Sequence, residues 1–194
     1  MFYISVDALG NITGCGSDPS IGPISVSNDS LFPLIRASMV SYKYVSGAVG
    51  NYPSPNVYST WNGTDWATDP DKITEAQTYM TSKIMAYRDS VMASGFLYNA
   101  NWYESDTMSL LQYSTLYFLG ANIPSNLPAW GTLDGASITL TQAVVAGIFN
   151  AGITFVYGVY GEYRTQLTAM LASSDPYNYN YHTGWPATYL TPVG

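Results

Sequence analysis

The stretch ITEAQTYMTSKIMAYRDSV at residues 73–91 decides the fold, because its apolar side chains recur at helical spacing. The positions that share one face are Ile73, Ala76, Met80, Ile84, Tyr87 and Val91. Steps of three and four residues place such positions on one side of an α-helix. Asp69 and Pro70 favour a helix start just before this stretch, and Gly95 favours a stop after it. The face either packs on its own domain or forms a seam with a partner helix.

The residues that follow predict a hairpin and a second helix. Aromatic residues at 96–98 and 102–103 flank an Asn-rich turn, which is typical of a tight hairpin. Ser105 or Asp106 then caps a helix that ends at Gly120. One face of this helix carries Met108, Leu111, Thr115 and Phe118.

A turn and a long helix complete this part of the chain. The segment WGTLDG at residues 130–135 predicts a β-turn with a short strand on each side, and Thr139 or Thr141 caps the last helix. That helix is expected to reach about Leu171. It carries Gly147, Gly152, Gly158 and Gly161. Glycine destabilises an exposed helix by roughly 1 kcal/mol, so these residues predict the close approach of another backbone.

This succession of parts resembles an uncharacterised domain that recurs in bacteriophage tail-fibre and tail-fibre assembly proteins. The residues that carry the resemblance are Gly95, Phe96, Trp102, Ser105, Asp106, the segment at 130–135 and the segment ITLT at 138–141. It covers residues 73–171 and brings no catalytic residues with it. The resemblance implies a virion protein of the phage tail, made in the host cytoplasm.

Two roles follow from that resemblance. The first is a tail-fibre component, acting as a fibre tip or an assembly chaperone and contributing to attachment to a host-surface glycan. The second is a baseplate or capsid-decoration protein without receptor contact. Both roles imply an oligomeric assembly whose partners are the tail-fibre protein or other tail and baseplate subunits.

The composition also points to assembly. Charged residues make up only 10% of the 194 residues, whereas aromatic residues reach 15%, with 18 Tyr. A typical soluble domain is about 25% charged. The surface of this chain, with so few charges, must therefore be covered by uncharged polar groups and Tyr, or be buried against other chains. Tyr suits recognition surfaces, but the same residues can also line the core.

Several classes of function are disfavoured. A net charge of −7 and six scattered basic residues argue against nucleic-acid binding. The single cysteine, Cys15, permits no internal disulfide and no zinc site, and no cofactor motif is present. The apolar residues 140–160 are long enough to cross a membrane, but their glycines favour packing on protein.

No catalytic constellation emerges either. His182 is the only histidine, and the sequence contains no Ser or Cys nucleophile motif that a catalytic histidine could activate. The acidic residues that precede the two helices are Asp65, Asp69, Asp71, Glu75, Glu104 and Asp106. Such a set suits a glycosidase or a calcium site in principle, but helix capping explains it with less effort. We therefore expect a protein that is not an enzyme.

The first 68 residues predict a small antiparallel β unit. Residues 1–16 read as a hairpin with Gly10-Asn11 at its turn, and residues 57–66 as a second hairpin around Asn62-Gly63. A loop is expected at 18–30 and a weak strand at 39–45, while residues 31–37 resist assignment.

The sequence thus predicts an α+β protein with three parts: a β-rich unit at 1–68, a helical phage-tail-like domain at 69–172, and an extended Tyr-rich arm at 173–194. The helical domain has three main helices with short hairpins between them. An ordered irregular arm needs something to lie on, either a neighbouring subunit or its own domain. The predicted interaction residues are Tyr177, Tyr179, Tyr181 and Trp185 in the arm, with Trp61 and Trp66 in the β unit.

Overall fold

The computed structural model confirms an α+β protein in which short antiparallel strands precede the long helices. It describes residues 1–22, 24–27, 31–39, 41–124, 127 and 129–192. The chain divides into two compact units, Met1–Glu75 and Ala76–Gly194. Each unit has a hydrophobic core of its own.

The first unit is built on a three-stranded antiparallel sheet. Its strands are β1 (Phe2–Val6), β2 (Ile12–Gly16) and β3 (Ile24–Val26), with β1 in the centre. This arrangement confirms the first predicted hairpin. Gly10 has a φ of 79°, a conformation that glycine adopts readily, and a side chain there would collide with the backbone of Tyr44.

Two stretches of this unit depart from the sequence-based expectation. The loop predicted at 18–30 contains β3, because Val26 pairs with Phe2 along the free edge of β1; residues 23 and 28–30 lie outside the described residues. Residues 31–37, which the sequence left unassigned, form helix α1 (Leu31–Ala37). This helix buries Ile35 completely in the core of the first unit.

Two further hairpins complete the first unit. The weak strand expected at 39–45 appears as β4 (Tyr42–Val45), which pairs with β5 (Ala48–Asn51); residue 40 lies outside the described residues. The hairpin around Asn62-Gly63 is confirmed as β6 (Ser59–Trp61) and β7 (Trp66–Thr68). Trp61 pairs with Trp66, so the loop between the strands has four residues. It is closed by a hydrogen bond from the Asn62 N–H to the Asp65 carbonyl at 3.1 Å.

The helical part follows the predicted order of elements. These are α2 (Pro70–Met92), β8 (Phe96–Tyr98), β9 (Asn101–Tyr103), α3 (Thr107–Leu119), β10 (Trp130–Gly131), β11 (Ser137–Ile138) and α4 (Gln142–Leu171). Asp106 caps α3 by accepting the N–H groups of Met108 and Ser109, and Thr141 caps α4. Ser105 instead closes the end of α2, since its hydroxyl donates to the Met92 carbonyl at 2.6 Å.

The core of the second unit gathers around the stripe of α2 that the sequence predicted. Ala76, Met80, Ile84, Tyr87 and Val91 are buried, whereas Ile73, which belongs to the first unit, is half-buried. Phe96, Tyr103 and Tyr113 add aromatic rings, and α4 adds Ile148, Phe155, Val159 and Met170. The α2 face therefore packs within its own unit rather than remaining free for a partner helix.

Candidate interaction surface

The four glycines of α4 have four different surroundings. A Cβ atom at Gly147 would collide with the ring of Tyr98, and one at Gly152 would lie 3.3 Å from the Phe96 ring. The neighbour of Gly147 is an aromatic side chain of β8, and the neighbours of Gly152 are the Phe96 ring and the Leu110 side chain of α3. At both positions these are side chains, so the expectation that another backbone approaches there is wrong. A Cβ at Gly158 would lie 3.2 Å from the Pro186 ring. No described residue lies within 4 Å of the Cβ position at Gly161, apart from its chain neighbours and the backbone of its own helix.

Helix α4 has two apolar stripes, and only one of them is covered. The covered stripe carries Val145, Ile148, Gly152, Phe155, Val159 and Met170. The second stripe carries Phe149, Ile153, Val156, Tyr157 and Tyr160. Its members also recur at steps of one, three and four residues, which places them on an adjoining side of the helix. Tyr157 is 74% exposed.

The second stripe of α4 forms one wall of an apolar groove in the second unit. Leu110 and Tyr113 of α3 line the opposite wall, and the space between them is about 600 Å³. Gly152 and Gly161 widen the groove because they carry no side chain. Among the residues that the structure describes, Arg164 is the only charged one that lines it. A concave apolar space of this size is typical of a binding surface.

Aromatic contacts extend this groove to the end of α3. The Tyr117 ring stacks on the Phe149 ring of α4, with centroids 4.2 Å apart and an interplanar angle of 14°. Phe118 lies beside both rings and is 80% exposed. The resulting continuous surface is named here the α3–α4 face. It comprises Tyr117, Phe118, Phe149, Ile153, Val156, Tyr157 and Tyr160, together with Gly161.

The apolar face that the sequence predicted for α3 points away from the core. Met108, Leu111, Thr115 and Phe118 are all exposed, whereas Ser109 and Tyr113 are buried. Ser109 tolerates burial because its hydroxyl lies within hydrogen-bond distance of both Asp106 and Glu104. Hydrophobic spacing alone could not show which side of this uncharged helix would be covered, because apolar residues occur on more than one side.

Both helices of the α3–α4 face are almost without charge. Helix α3 contains no Asp, Glu, Lys or Arg, and α4 contains only Glu162 and Arg164. Glu162 accepts a hydrogen bond from the Gln166 amide at 2.6 Å. In the described part of the chain, α4 is the helix that is long and apolar enough to cross a bilayer. The preference for protein packing over a membrane span stays a prediction.

Tyr113, at the inner wall of the groove, is buried with an unsatisfied hydroxyl. Within the described residues, this oxygen has no hydrogen-bond partner. The Trp130 ring, 5.3 Å from the Tyr113 ring between centroids, supplies no hydrogen bond in good geometry. Burial, assisted by the negative charge of Glu104, raises the pKa of Tyr113 well above its usual range.

The Tyr-rich arm lies back on its own unit, which was one of the two alternatives. Tyr181 is only 7% exposed and belongs to the hydrophobic core, with its ring 5.6 Å from that of Tyr87. The Trp185 indole donates to the Tyr181 carbonyl at 2.7 Å and also contacts Tyr87. The His182 ring meets Tyr87 edge-on at 4.7 Å.

Gln166 of α4 fixes the middle of the arm. Its amide nitrogen donates to the Thr183 carbonyl at 2.8 Å, and its amide oxygen accepts from the Tyr179 hydroxyl at 2.8 Å. Tyr177 is about half exposed and stacks on Tyr79 of α2, with ring centroids 5.2 Å apart. Of the four predicted arm residues, Tyr177 therefore offers the most surface to a partner.

Trp61 and Trp66, the other two predicted interaction residues, belong to the first unit. They pair across the β6–β7 hairpin, and the Lys43 ammonium lies 5.8 and 5.2 Å from their ring centroids. Lys43 is 3% exposed and donates to Asn11 at 2.8 Å, and its burial lowers its pKa. Trp61 is buried in this cluster, whereas Trp66 is half-buried.

The acidic residues near the helix starts stabilise local structure. Asp69 accepts from the Thr60 hydroxyl at 2.6 Å and from the Asp71 N–H at 3.0 Å. Asp106 likewise accepts hydrogen bonds from the Ser109 hydroxyl and from two backbone N–H groups, and these bonds lower its pKa. No group of three or more His, Cys, Asp or Glu suited to a metal ion occurs among the described residues.

Comparison with known proteins identifies the family. Residues 75–183, more than half of the chain, match the family described as a domain of unknown function (DUF4376). The protein therefore belongs to this family. No significant match was found among curated proteins or among solved structures.

Proposed function

We propose that this protein is a structural or assembly protein of a bacteriophage tail, bound to the tail fibre. It acts without catalysis, as part of the fibre tip or as a chaperone of fibre assembly. The observation that carries the proposal is the uncharged, exposed α3–α4 face. An apolar surface of this kind marks a site of contact with other protein.

The rest of the surface supports a role in assembly over binding to nucleic acid. Phosphate contacts require clustered, accessible Lys and Arg. Here Lys43 is buried among aromatic rings, and Arg88 is paired with Asp89 at 2.6 Å. Arg88 also lies between Tyr160 and Tyr163, at 5.6 and 4.9 Å from their ring centroids. These cations stabilise aromatic packing within the chain.

A contribution to host attachment would use exposed aromatic side chains. Trp66 is half-buried, Tyr52 is more exposed, and each ring contacts Trp61. Aromatic rings with one polar end suit the recognition of partly polar ligands. A host-surface glycan is the proposed ligand of this aromatic edge in the first unit.

The test is to locate the chain in purified particles of the phage that encodes it. Dissociated particles are separated into fibre and baseplate fractions, and each fraction is analysed by mass spectrometry. We expect peptides of this chain to be enriched in the fibre fraction. Enrichment in the baseplate fraction would favour the alternative of a baseplate protein. Absence from both, with no co-purification with the fibre before assembly, would overturn the proposal.

A further inference from the structure

We infer that two copies of this chain associate through the α3–α4 face. This inference deepens the proposed function, on which it rests, by naming a second copy of the chain as the protein that covers the face. The molar mass of the isolated chain tests it separately from the particle fractionation. The face lies entirely within the second unit, and its residues come from the two helices that pack side by side there.

The exposed aromatic area of the face equals the largest patch of a typical monomer, and its apolar neighbours bring it towards what a stable dimer buries. Phe118, Tyr157, Tyr160 and Tyr117 are 80, 74, 45 and 39% exposed. An aromatic side chain can bury about 150–250 Å², so these four alone leave roughly 350–600 Å² uncovered. Ile153, Phe149 and Val156 enlarge that area. A specific interface takes about 800 Å² from each partner, whereas the largest patch on a monomer is typically about 300–600 Å².

Charge makes a second copy the occupant that fits. The chain carries a net charge of −7, so two copies repel each other over most orientations. The α3–α4 face is the exception, because α3 has no charged residue and α4 has one of each sign. Two copies can therefore meet here without placing like charges opposite each other in the buried area.

The face carries both projections and a recess. Phe118 and Tyr157 are largely exposed, while Gly161 leaves bare backbone in the groove that Tyr157 also lines. A two-fold interface uses the same patch on both subunits, so projections and recesses must lie on one surface. The open space at the Cβ position of Gly161 among the described residues also lets a second helix come close, as small residues do at helix–helix contacts.

A membrane is the competing occupant, and the charge pattern disfavours it. Surfaces that lie on bilayers usually add Lys and Arg beside the apolar residues, because cytoplasmic leaflets are anionic. In the described part of the chain, Arg164 is the only basic residue that lines the groove.

The test is the molar mass of the full chain in solution, measured by light scattering and by sedimentation over a range of concentrations. Two variants disrupt the face: Tyr157→Asp adds a charge, and Gly161→Leu fills the recess. Leu is a better helix former than Gly, so Gly161→Leu leaves the monomer folded. Met85→Asp, at an exposed position of α2, is the matched control.

We expect a dimer for the wild-type chain and for Met85→Asp. Both face variants should associate at least tenfold more weakly while keeping the wild-type circular dichroism spectrum. A wild-type monomer at every concentration would overturn the inference, as would a dimer that both face variants leave intact. Wild-type chain that sediments with phosphatidylcholine vesicles, but not after Tyr157→Asp, would assign the face to a membrane instead.

Discussion

The Tyr98 ring lies directly over Gly147, where it fills the space that a side chain on α4 would need. This contact holds the β8–β9 hairpin against α4. We expect Gly147→Ala to destabilise the protein by about 1–2 kcal/mol, because the displaced ring outweighs the better helix propensity of Ala. Thermal unfolding, monitored by circular dichroism, measures the change.

Gly161→Ala is the matched control for that substitution. It lies in the same helix but in open space, so it should stabilise the monomer by up to about 1 kcal/mol. The comparison is made at low protein concentration, where the monomer is populated. Equal effects at the two positions would show that Tyr98 does not hold the hairpin on Gly147.

The unsatisfied hydroxyl of Tyr113 predicts an unusual response to mutation. Tyr113→Phe removes a buried polar atom that has no hydrogen-bond partner among the described residues, so stability should stay the same or rise by up to about 1 kcal/mol. Tyr113→Ala removes the whole ring and should cost about 3–5 kcal/mol. Urea denaturation of the two variants tests this. A loss of stability in Tyr113→Phe would mean that the hydroxyl has a partner in solution.

The same residue predicts unfolding at alkaline pH. Burial raises the pKa of the Tyr113 phenol, and burial raises that of Tyr103 too, so the folded protein keeps both protons while the unfolded chain releases them near pH 10. Their contribution to stability is therefore complete below about pH 10 and is lost as the pH rises further. The free energy of unfolding should fall between about pH 10 and 12. The free energy of unfolding of Tyr113→Phe should fall less steeply with pH. A slope identical to that of the wild type would contradict the assignment of this pH dependence to Tyr113.

Two tyrosines of the arm should differ sharply in their effect on stability. Tyr181 is a core residue, so Tyr181→Ala should cost about 3 kcal/mol or more. Tyr177 is half exposed and stacks on Tyr79, so Tyr177→Ala should cost about 1 kcal/mol or less. Thermal unfolding compares the two. Similar losses would mean that the arm is not anchored through Tyr181.

The sequence was a good guide wherever local chemistry decides the structure. The α2 stripe from Ala76 to Val91, the Asp106 cap and the Asn62-Gly63 turn depend on neighbouring residues, and each is present. Strand β3 was missed because its pairing with β1 joins residues that are distant in the sequence. Periodicity could not detect such a pairing.

The candidate surface could be predicted only in part from the sequence. Helix α3 has no charged residue and carries apolar residues on more than one side, so its spacing identified a face but not whether that face is buried or exposed. The second stripe of α4 overlaps the first, and only the structure separates them. Of the predicted interaction residues, Tyr181 and Trp61 are occupied by internal packing, while Tyr177 and Trp66 retain exposed surface.

Hydroxyl-radical footprinting of the wild-type chain and of Gly161→Leu tests most directly whether a second copy covers the α3–α4 face. We expect Phe118 and Tyr157 to be protected in the wild type and to react several-fold faster in the variant, with Met85 and Leu97 reacting equally in both. Equal reactivity of Phe118 and Tyr157 in the two proteins would show that this face is open to solvent and would contradict the account.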